Sequence, residues 1–244
     1  MENKYLKYSS LFYNDTKPPG TSVDGDLEFY KNLLLPIEGK ILEAGVGNGR
    51  LLIPFLKYKM DIEGIDKSDE MIDLCNENLN INNLSAKIIK QDLCDYIKQD
   101  YYEFIIMPNA SFCLIESYEK AIKVLKNFYC NLIKDGKLAI DLIWPNDFHK
   151  GYKHEMIHNL KNKKLKVINY SKEIDWLYQF TINEIDYFYE DKHVENQKIK
   201  ISWYGVNEFK NMLKSIGFVD IEVVINYNFK SLINIKTITF IAKK

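Results

Sequence analysis

Three glycines alternate with other residues directly after a short apolar run: Gly45, Gly47 and Gly49. A segment with helical spacing follows them, so a tight turn between a strand and a helix is predicted. The first turn of such a helix offers unpaired N–H groups and a partial positive charge. The next apolar run ends at Asp66, 21 residues (66 − 45) after Gly45. A carboxylate there can accept both hydroxyls of a ribose, so the spacing predicts a site for a nucleoside-containing cofactor.

The elements that must position this loop alternate between strand and helix over the first 145 residues. Strands are predicted at 40–44, 61–66, 86–90, 102–107 and 137–143, and helices at 24–35, 51–58, 68–79 and 117–132. This alternation specifies a parallel α/β sheet with right-handed crossovers. A helix at 206–216 and strands at 218–225 and 236–242 complete the chain, which we interpret as one domain, residues 1–244.

The pattern changes at Pro145. Residues 145–165 are polar and poorly periodic, whereas 176–182 and 199–203 alternate between apolar and polar residues, as half-buried strands do. We therefore interpret 145–205 as an antiparallel insertion that forms a cap within the domain.

Charge is divided unevenly within this insertion. Residues 150–172 carry seven lysines and one glutamate, a net +6, and residues 173–195 carry seven acids and one lysine, a net −6. The two stretches cancel, and cross-strand pairing is the interpretation we favour over an RNA-binding patch.

Six segments, in this order along the chain, resemble those of class I S-adenosylmethionine-dependent methyltransferases. The glycine spacing is GxGxG preceded by Glu43, rather than the GxGxxG of dinucleotide-binding proteins. The resemblance covers about residues 1–144 and 205–244 and rests on six segments: 41–50, 64–71, 91–93, 104–109, 135–138 and 215–218.

The resemblance implies a Rossmann-like α/β fold. Its seven-stranded sheet would be mostly parallel with a reversed last strand, and the antiparallel β insertion would follow strand 5. S-adenosylmethionine is the implied cofactor. Glu43 would anchor its methionine amino group, directly or through water, and Asp66 its ribose. The other implied cofactor residues are the glycines as the floor, Lys67 and Met71 beside the adenosine, Asp92 and Leu93 at the adenine edge, and Asn109.

The N-terminal segment Tyr8–Tyr13 resembles one that folds over the cofactor in small-molecule members of this family. Tyr13 would contact the methionine carboxylate or the acceptor, or else pack in the core.

Arg50 is the chain's one arginine and stands at a predicted helix start. Because a helix N-terminus does not favour a cation, a nearby anion is expected. The cofactor's carboxylate is one candidate, and Asp26 or Asp66 is the structural alternative.

The acceptor site is expected beyond the carboxyl ends of strands four and five. We assign Ser111, Phe112, Trp144 and Tyr178 to its pocket. Methyl transfer from a sulfonium needs in-line alignment more than covalent help, and a base only if the acceptor arrives protonated. Tyr13 and His149 are the candidates for that base. Since Ala110 and Ser111 follow Asn109 in place of a PPY-type motif, DNA and protein-glutamine acceptors are disfavoured.

A second motif points to different chemistry. Residues 154–158 match HExxH, which on a helix places two histidines on zinc and a glutamate as base. No helical pattern surrounds the motif and no third ligand follows at the expected interval. We therefore predict no metal site, and a role for the His154/His158 pair stays open.

The sequence thus predicts transfer of a methyl group from S-adenosylmethionine to a small-molecule N or O acceptor. RNA or protein methylation, non-catalytic S-adenosylmethionine binding and an NAD-type enzyme are the alternatives. The net charge of −1 gives no general drive toward nucleic acids or anionic membranes. No signal peptide or membrane-spanning segment is evident, so we expect a cytoplasmic monomer or homodimer.

Overall fold

The computed structural model describes residues 3–228 and 234–244. Its strands are β1 Ile41–Ala44, β2 Ile62–Asp66, β3 Ile88–Lys90, β4 Tyr102–Met107, β5 Leu132–Ile143, β6 Lys153–Leu160, β7 Lys163–Asp175, β8 Phe180–Tyr189, β9 Lys192–Ser202, β10 Val219–Ile225 and β11 Thr237–Lys243. Its α-helices are α1 Lys7–Thr16, α2 Asp26–Leu34, α3 Leu52–Lys57, α4 Asp69–Ile81, α5 Tyr118–Asn131 and α6 Val206–Ile216, and a 3₁₀ turn spans Ser111–Leu114.

The main sheet has seven strands in the order β10-β11-β5-β4-β1-β2-β3. Strands β3, β2, β1, β4 and β5 are parallel, and β11 is antiparallel to both β5 and β10. This confirms the predicted fold with its reversed last strand. The strand order reverses beside β1, where β2 lies on one side and β4 on the other. In such sheets ligands bind at this point, outside the carboxyl ends of the strands.

Two apolar clusters cover the two faces of this sheet. On one face, Val124 and Phe128 of α5 and Phe209 of α6 are buried with inward residues of β4 and β5. On the other, Tyr30 of α2 and Phe55 of α3 are buried with residues of β1 and β4. Because both faces are covered, the central strands are almost wholly apolar, which is why their sequence pattern was readable.

The insertion after β5 is a four-stranded antiparallel meander, β6-β7-β8-β9, which we call the roof sheet. Lys172 on β7 pairs with Glu184 on β8 at 2.5 Å, and Lys198 on β9 pairs with the same carboxylate at 3.2 Å. Lys163 and Lys164 of β7 pair with Glu190 at 3.4 Å and Asp191 at 2.9 Å in the β8–β9 turn. The predicted charge pairing across strands is confirmed.

Two sequence interpretations within the roof sheet are wrong. Residues 145–165 gave no strand pattern, yet β6 and the start of β7 lie there. Strand β6 is an edge strand that is mostly exposed on both faces, so its sequence shows no apolar alternation. The aromatic run from Trp176 to Tyr178 is the exposed turn between β7 and β8 rather than a strand. Asp175 closes this turn, because its Oδ1 accepts from the backbone N–H groups of Leu177 and Tyr178, both at 2.9 Å.

The roof sheet packs on helix α1. Buried Leu165, Val167 and Tyr187 of the roof sheet contact Tyr8 and Phe12 of α1. Helix α1 therefore lies between the roof sheet and the main sheet. Within the described ranges, no helix is long and apolar enough to cross a membrane.

Candidate functional site

A cavity of about 820 Å³ lies at the carboxyl ends of β1, β2 and β4. Residues 3–6 and strand β9 of the roof sheet form the far part of its wall. The predicted site residues that line it are Tyr13, Gly45, Gly47, Asp66, Lys67, Met71, Asp92, Leu93, Asn109 and Ser111. Residues from five separate segments thus meet around one space, at the reversal of strand order.

The glycine loop exposes its backbone to this cavity. Gly45 has φ +73° and Gly49 φ +79°, a region that side-chain-bearing residues rarely adopt. At Gly47, no described atom lies within 4 Å of the position that a Cβ would take. At Gly49 a Cβ would lie 2.9 Å from the Cys75 sulfur, so this glycine serves packing and does not line the cavity.

Asp66 ends β2 with its carboxylate held from two sides. Its Oδ2 accepts from Gly47 N at 2.9 Å, and its Oδ1 accepts from Ser68 N at 2.9 Å. Burial raises the pKa of this carboxyl, although these backbone donors oppose the shift. The carboxylate is therefore fixed in orientation beside the cavity and retains lone pairs for further donors.

Glu43 lies behind the glycine loop rather than in the cavity wall. Its side chain is 3% exposed, and its Oε2 has no hydrogen-bond partner anywhere in residues 3–228 and 234–244. Burial raises the pKa of Glu43 to about 8. A buried carboxyl oxygen without a donor is costly, so this atom is suited to receive a donor from a ligand.

Arg50 forms an ion pair within the protein, with Asp26, which is the structural alternative to a cofactor contact. Its guanidinium binds both carboxylate oxygens of buried Asp26, at 3.0 and 2.5 Å, and also the Thr21 carbonyl at 2.8 Å. Arg50 is 4% exposed and does not line the cavity. Its prediction as a direct cofactor residue is corrected: Asp26 supplies the anion that the helix start required. Its remaining link to the cavity is through the hydroxyl of Tyr13.

Tyr13 meets the loop after β4. The Asn109 side-chain amide reaches the Tyr13 hydroxyl at 3.5 Å. Asn109 has φ +53°, and its backbone N–H donates to buried Asp141 at 2.8 Å, which holds the loop in this conformation. Burial raises the pKa of the Tyr13 hydroxyl, and the Arg50 guanidinium opposes that shift. Tyr13 is therefore a hydrogen-bond donor at neutral pH and not a ready base.

The end of the cavity beside Asp92 and Glu116 is more polar. Lys67 forms an ion pair with Glu116 at 3.0 Å, and both residues line the cavity. Asp92 is fixed because its Oδ1 accepts from Cys94 N at 2.8 Å. This end carries the acidic residues of the cavity wall.

Four predicted acceptor-side residues lie elsewhere. Phe112 is fully buried against Tyr204 and Phe209, with ring centroids at 5.8 and 5.3 Å. Trp144 also packs against the core and does not line the cavity. It follows Ile143 directly, and successive residues of extended chain face opposite sides, so Ile143 lines the cavity in its place.

The other two are on exposed turns. Tyr178 is 73% exposed on the β7–β8 turn, and His149 is exposed in the turn that follows β5. Neither lines the cavity, so the pocket assignment of Tyr178 and the base assignment of His149 are both corrected.

The HExxH segment lies on strand β6 and not on a helix. On a strand, His154 and His158 are four residues apart, which separates them by about 13 Å of extended chain. His158 instead contacts Asp15 of α1, with Nε2 to Oδ2 at 2.5 Å. The zinc-protease geometry is absent from this segment.

Several residues that line the far part of the cavity were not predicted from the sequence. They come from the N-terminal segment and from β9, which are nearly 200 residues apart in sequence but meet through hydrogen bonds such as Gln197 Nε2 to the Lys4 carbonyl at 2.8 Å. No spacing rule predicts such a meeting. The missed lining residues include Asn3, Lys4, Tyr5, Lys17, Gln197, Ile199 and Ile201.

Comparison with known proteins agrees with this geometry. Residues 41–136, which hold the glycine loop and Asp66, match the family model described as a methyltransferase domain. The match places a methyltransferase domain at residues 41–136, and with the motif order and the reversed last strand it supports a class I S-adenosylmethionine-dependent methyltransferase. The methyltransferase domain supports an enzyme that uses S-adenosylmethionine as its cofactor, which is bound in one structure of this fold.

The similarity to individual proteins extends beyond residues 41–136. A carboxy-S-adenosyl-L-methionine synthase from Nautilia profundicola is 27% identical over 204 residues, covering 83% of this chain and 78% of that protein. A sugar N-methyltransferase from Streptoalloteichus sp. superposes with a TM-score of 0.78 at 15% identity, covering 100% of this chain and 96% of that one. An amino pentose methyltransferase from Micromonospora echinaspora with S-adenosylmethionine bound has a TM-score of 0.73 at 15% identity, covering 100% and 99%.

Proposed function

We propose that the enzyme transfers a methyl group from S-adenosylmethionine to a small-molecule nitrogen or oxygen acceptor by in-line displacement. The observation that carries this proposal is the limited volume of the cavity, one wall of which is built by the N-terminal segment and β9 of the roof sheet. A space of about 820 Å³ suits a cofactor and a small acceptor.

Residue roles follow from the contacts. Asp66 would accept the ribose hydroxyls, while Gly45 and Gly47 would lie against the methionine part of the cofactor. Because Glu43 lies behind the loop and not in the cavity wall, its unpartnered Oε2 would receive the amino group through a bridging water. Asp92 and Leu93 would border the adenine, and Lys67 and Met71 the adenosine. When bound, S-adenosylmethionine supplies an activated methyl group on a positive sulfonium.

The acceptor would enter beside Asn109 and Ser111. Ile143, Ile199 and Ile201 contribute apolar surface to the cavity wall. Since Tyr13 is protonated and His149 is outside the cavity, the acceptor would arrive with a free lone pair, and Tyr13 with Asn109 would orient it. Nitrogen is favoured over oxygen, because a neutral amine needs no base before attack and two similar folds carry sugar N-methyl and amino pentose methyl transfer in their names.

Calorimetry with S-adenosylmethionine and with NAD tests the proposal. We expect binding of the first and none of the second, followed by release of S-adenosylhomocysteine when a panel of amino sugars and other small amines is added. Cofactor binding without product from any acceptor would favour the non-catalytic alternative. Failure to bind S-adenosylmethionine would overturn the proposal outright.

A macromolecular acceptor is the second candidate, and only the remaining lysines of residues 150–172 favour it. Product formed with RNA, in a reaction that weakens steeply with salt, would support it. Ion pairs of the roof sheet engage three of the seven lysines of this stretch, which weakens the case for an RNA acceptor.

Cofactor affinity should rise with pH through the titration of Glu43. An ammonium group pairs with the ionised form of the Glu43 carboxyl, whose pKa is about 8 in the free protein. We expect affinity to increase about tenfold per pH unit from pH 6 toward 8 and to level off above that. Calorimetry in matched-ionic-strength buffers would show this slope.

Glu43→Gln is the control. It should bind more weakly and remove this pH dependence, and a slope that survives in the variant would assign the titration to another group.

The stability of the free protein should show the opposite trend with pH. Because the pKa of Glu43 rises from 4.5 to about 8 on folding, the folded state holds the extra proton, and stability falls as pH rises between these values.

A further inference from the structure

Helix α1 lacks the side-chain cap that a short helix normally has at its N-terminus. Its N-cap residue is Leu6, which has no acceptor, and its first turn contains no acidic residue. Glu195 of strand β9 supplies the missing acceptors from the roof sheet. Its Oε2 accepts from Tyr8 N at 2.7 Å and its Oε1 from Ser9 N at 3.1 Å. One carboxylate, 6% exposed, therefore fixes both the position and the axis of the helix start.

The other end of α1 is fixed to the glycine loop. Asn14 Oδ1 accepts from the side-chain amide of Asn48, which stands between Gly47 and Gly49, and from that of Asn78 on α4, both at 2.8 Å. The Asn78 amide also donates to the Asn48 carbonyl at 2.9 Å. Helix α1 is thus a rigid link with the roof sheet at one end and the cofactor loop at the other.

Tyr13 lies on this link, and Tyr5 lies just before it. Both line the cavity, and their rings meet edge to face with centroids 5.9 Å apart. We propose that Glu195 is a positioning residue of the cofactor site, which sets the placement of Tyr13 and of the glycine loop through helix α1. This inference rests on the proposed cofactor site, and it adds that the roof sheet controls cofactor affinity.

The test is the affinity for S-adenosylhomocysteine, measured by calorimetry on the full chain. Glu195→Gln keeps the size of the side chain but turns an amide donor toward one of the two N–H groups, and we expect affinity to fall about tenfold. The matched control is Glu184→Gln on strand β8 of the same sheet, whose partners are Lys172 at 2.5 Å and Lys198 at 3.2 Å. That control should bind as the wild type does.

A purely structural role for Glu195 would lower the melting temperature of the variant without changing the affinity of the folded fraction. Coupling to Tyr13 separates the two cases. Tyr13→Phe should weaken binding in the wild type but not in Glu195→Gln, because the hydroxyl is already misplaced there. Unchanged affinity in Glu195→Gln, or an equal effect of Tyr13→Phe in both backgrounds, would overturn the inference.

Hydrogen exchange keeps the inference testable if the variant does not fold. In the wild type, S-adenosylhomocysteine should raise protection at the amides of Tyr8 and Ser9 as well as in the glycine loop. Protection confined to the glycine loop would contradict the link.

A wild-type protein that binds no S-adenosylhomocysteine would refute the proposed function. The Glu195 inference would then be judged without ligand: Glu195→Gln should lose protection both in α1 and at residues 47–50, whereas loss confined to the first turn of α1 would refute it.

Discussion

Asp66→Ala is expected to weaken the binding of S-adenosylmethionine by about a hundredfold or more. The substitution removes the acceptor of two ribose hydroxyls, and a hydrogen bond to a charged group contributes about 1.5–3 kcal/mol. It also removes the acceptor for Gly47 N and Ser68 N, so the glycine loop loses its tether to β2. The measurement is calorimetric titration of the variant and the wild type under the same conditions.

The matched control is Asp61→Ala. Asp61 stands at the opposite end of the same strand, where its side chain is 56% exposed and pairs with Lys40 at 2.6 Å. Its loss should leave cofactor binding unchanged. If Asp66→Ala binds S-adenosylmethionine as tightly as the wild type, the assignment of the cofactor to this cavity is wrong.

Arg50→Ala is expected to lower the free energy of unfolding by about 3–5 kcal/mol. The loss follows from Asp26, which is 0% exposed and would remain as a buried charge without its partner. Urea denaturation in the absence of cofactor would measure the effect and keep binding out of the result.

Two further variants define the cause. Lys40→Ala removes the pair with exposed Asp61 and a looser pair with Glu63 at 3.9 Å. Because Glu63 keeps Lys98 at 3.6 Å, the loss should be no more than about 1 kcal/mol. The double variant Asp26→Asn with Arg50→Met removes both charges together and should be more stable than Arg50→Ala. A loss in Arg50→Ala no larger than that in Lys40→Ala would show that the pair contributes little.

The sequence predicted the main sheet well, because its strands are local signals. A strand buried on both faces is a short apolar run, and the glycine loop and Asp66 lie at the ends of such runs. Parallel strands bring their carboxyl ends to one edge, so order along the chain was enough to gather residues from the glycine loop to Ser111 around one cavity.

The roof sheet was harder to predict, because its strands are half exposed and lysine-rich. Edge strand β6 has no apolar alternation, and the exposed aromatics of 176–178 imitate a strand where the chain turns. The same weakness misplaced Tyr178, while Phe112 and Trp144 were assigned by position alone and point into the core. Sequence order indicates which residues are near an edge, but not which way each side chain faces.

Arg50 shows most clearly what the sequence alone predicts and what only the tertiary structure decides. The sequence by itself determined that a lone arginine at a helix start needs an anion, and it determined the fold class, the cofactor class and the residues of the glycine loop. Only the tertiary structure decided that Asp26 is this anion, that Glu43 retains an unpartnered oxygen behind the loop, and that Glu195 caps helix α1 from the roof sheet. The physical reason is range: turn and strand preferences depend on neighbours in sequence, whereas these partners are up to 187 residues apart and meet only when the core has formed.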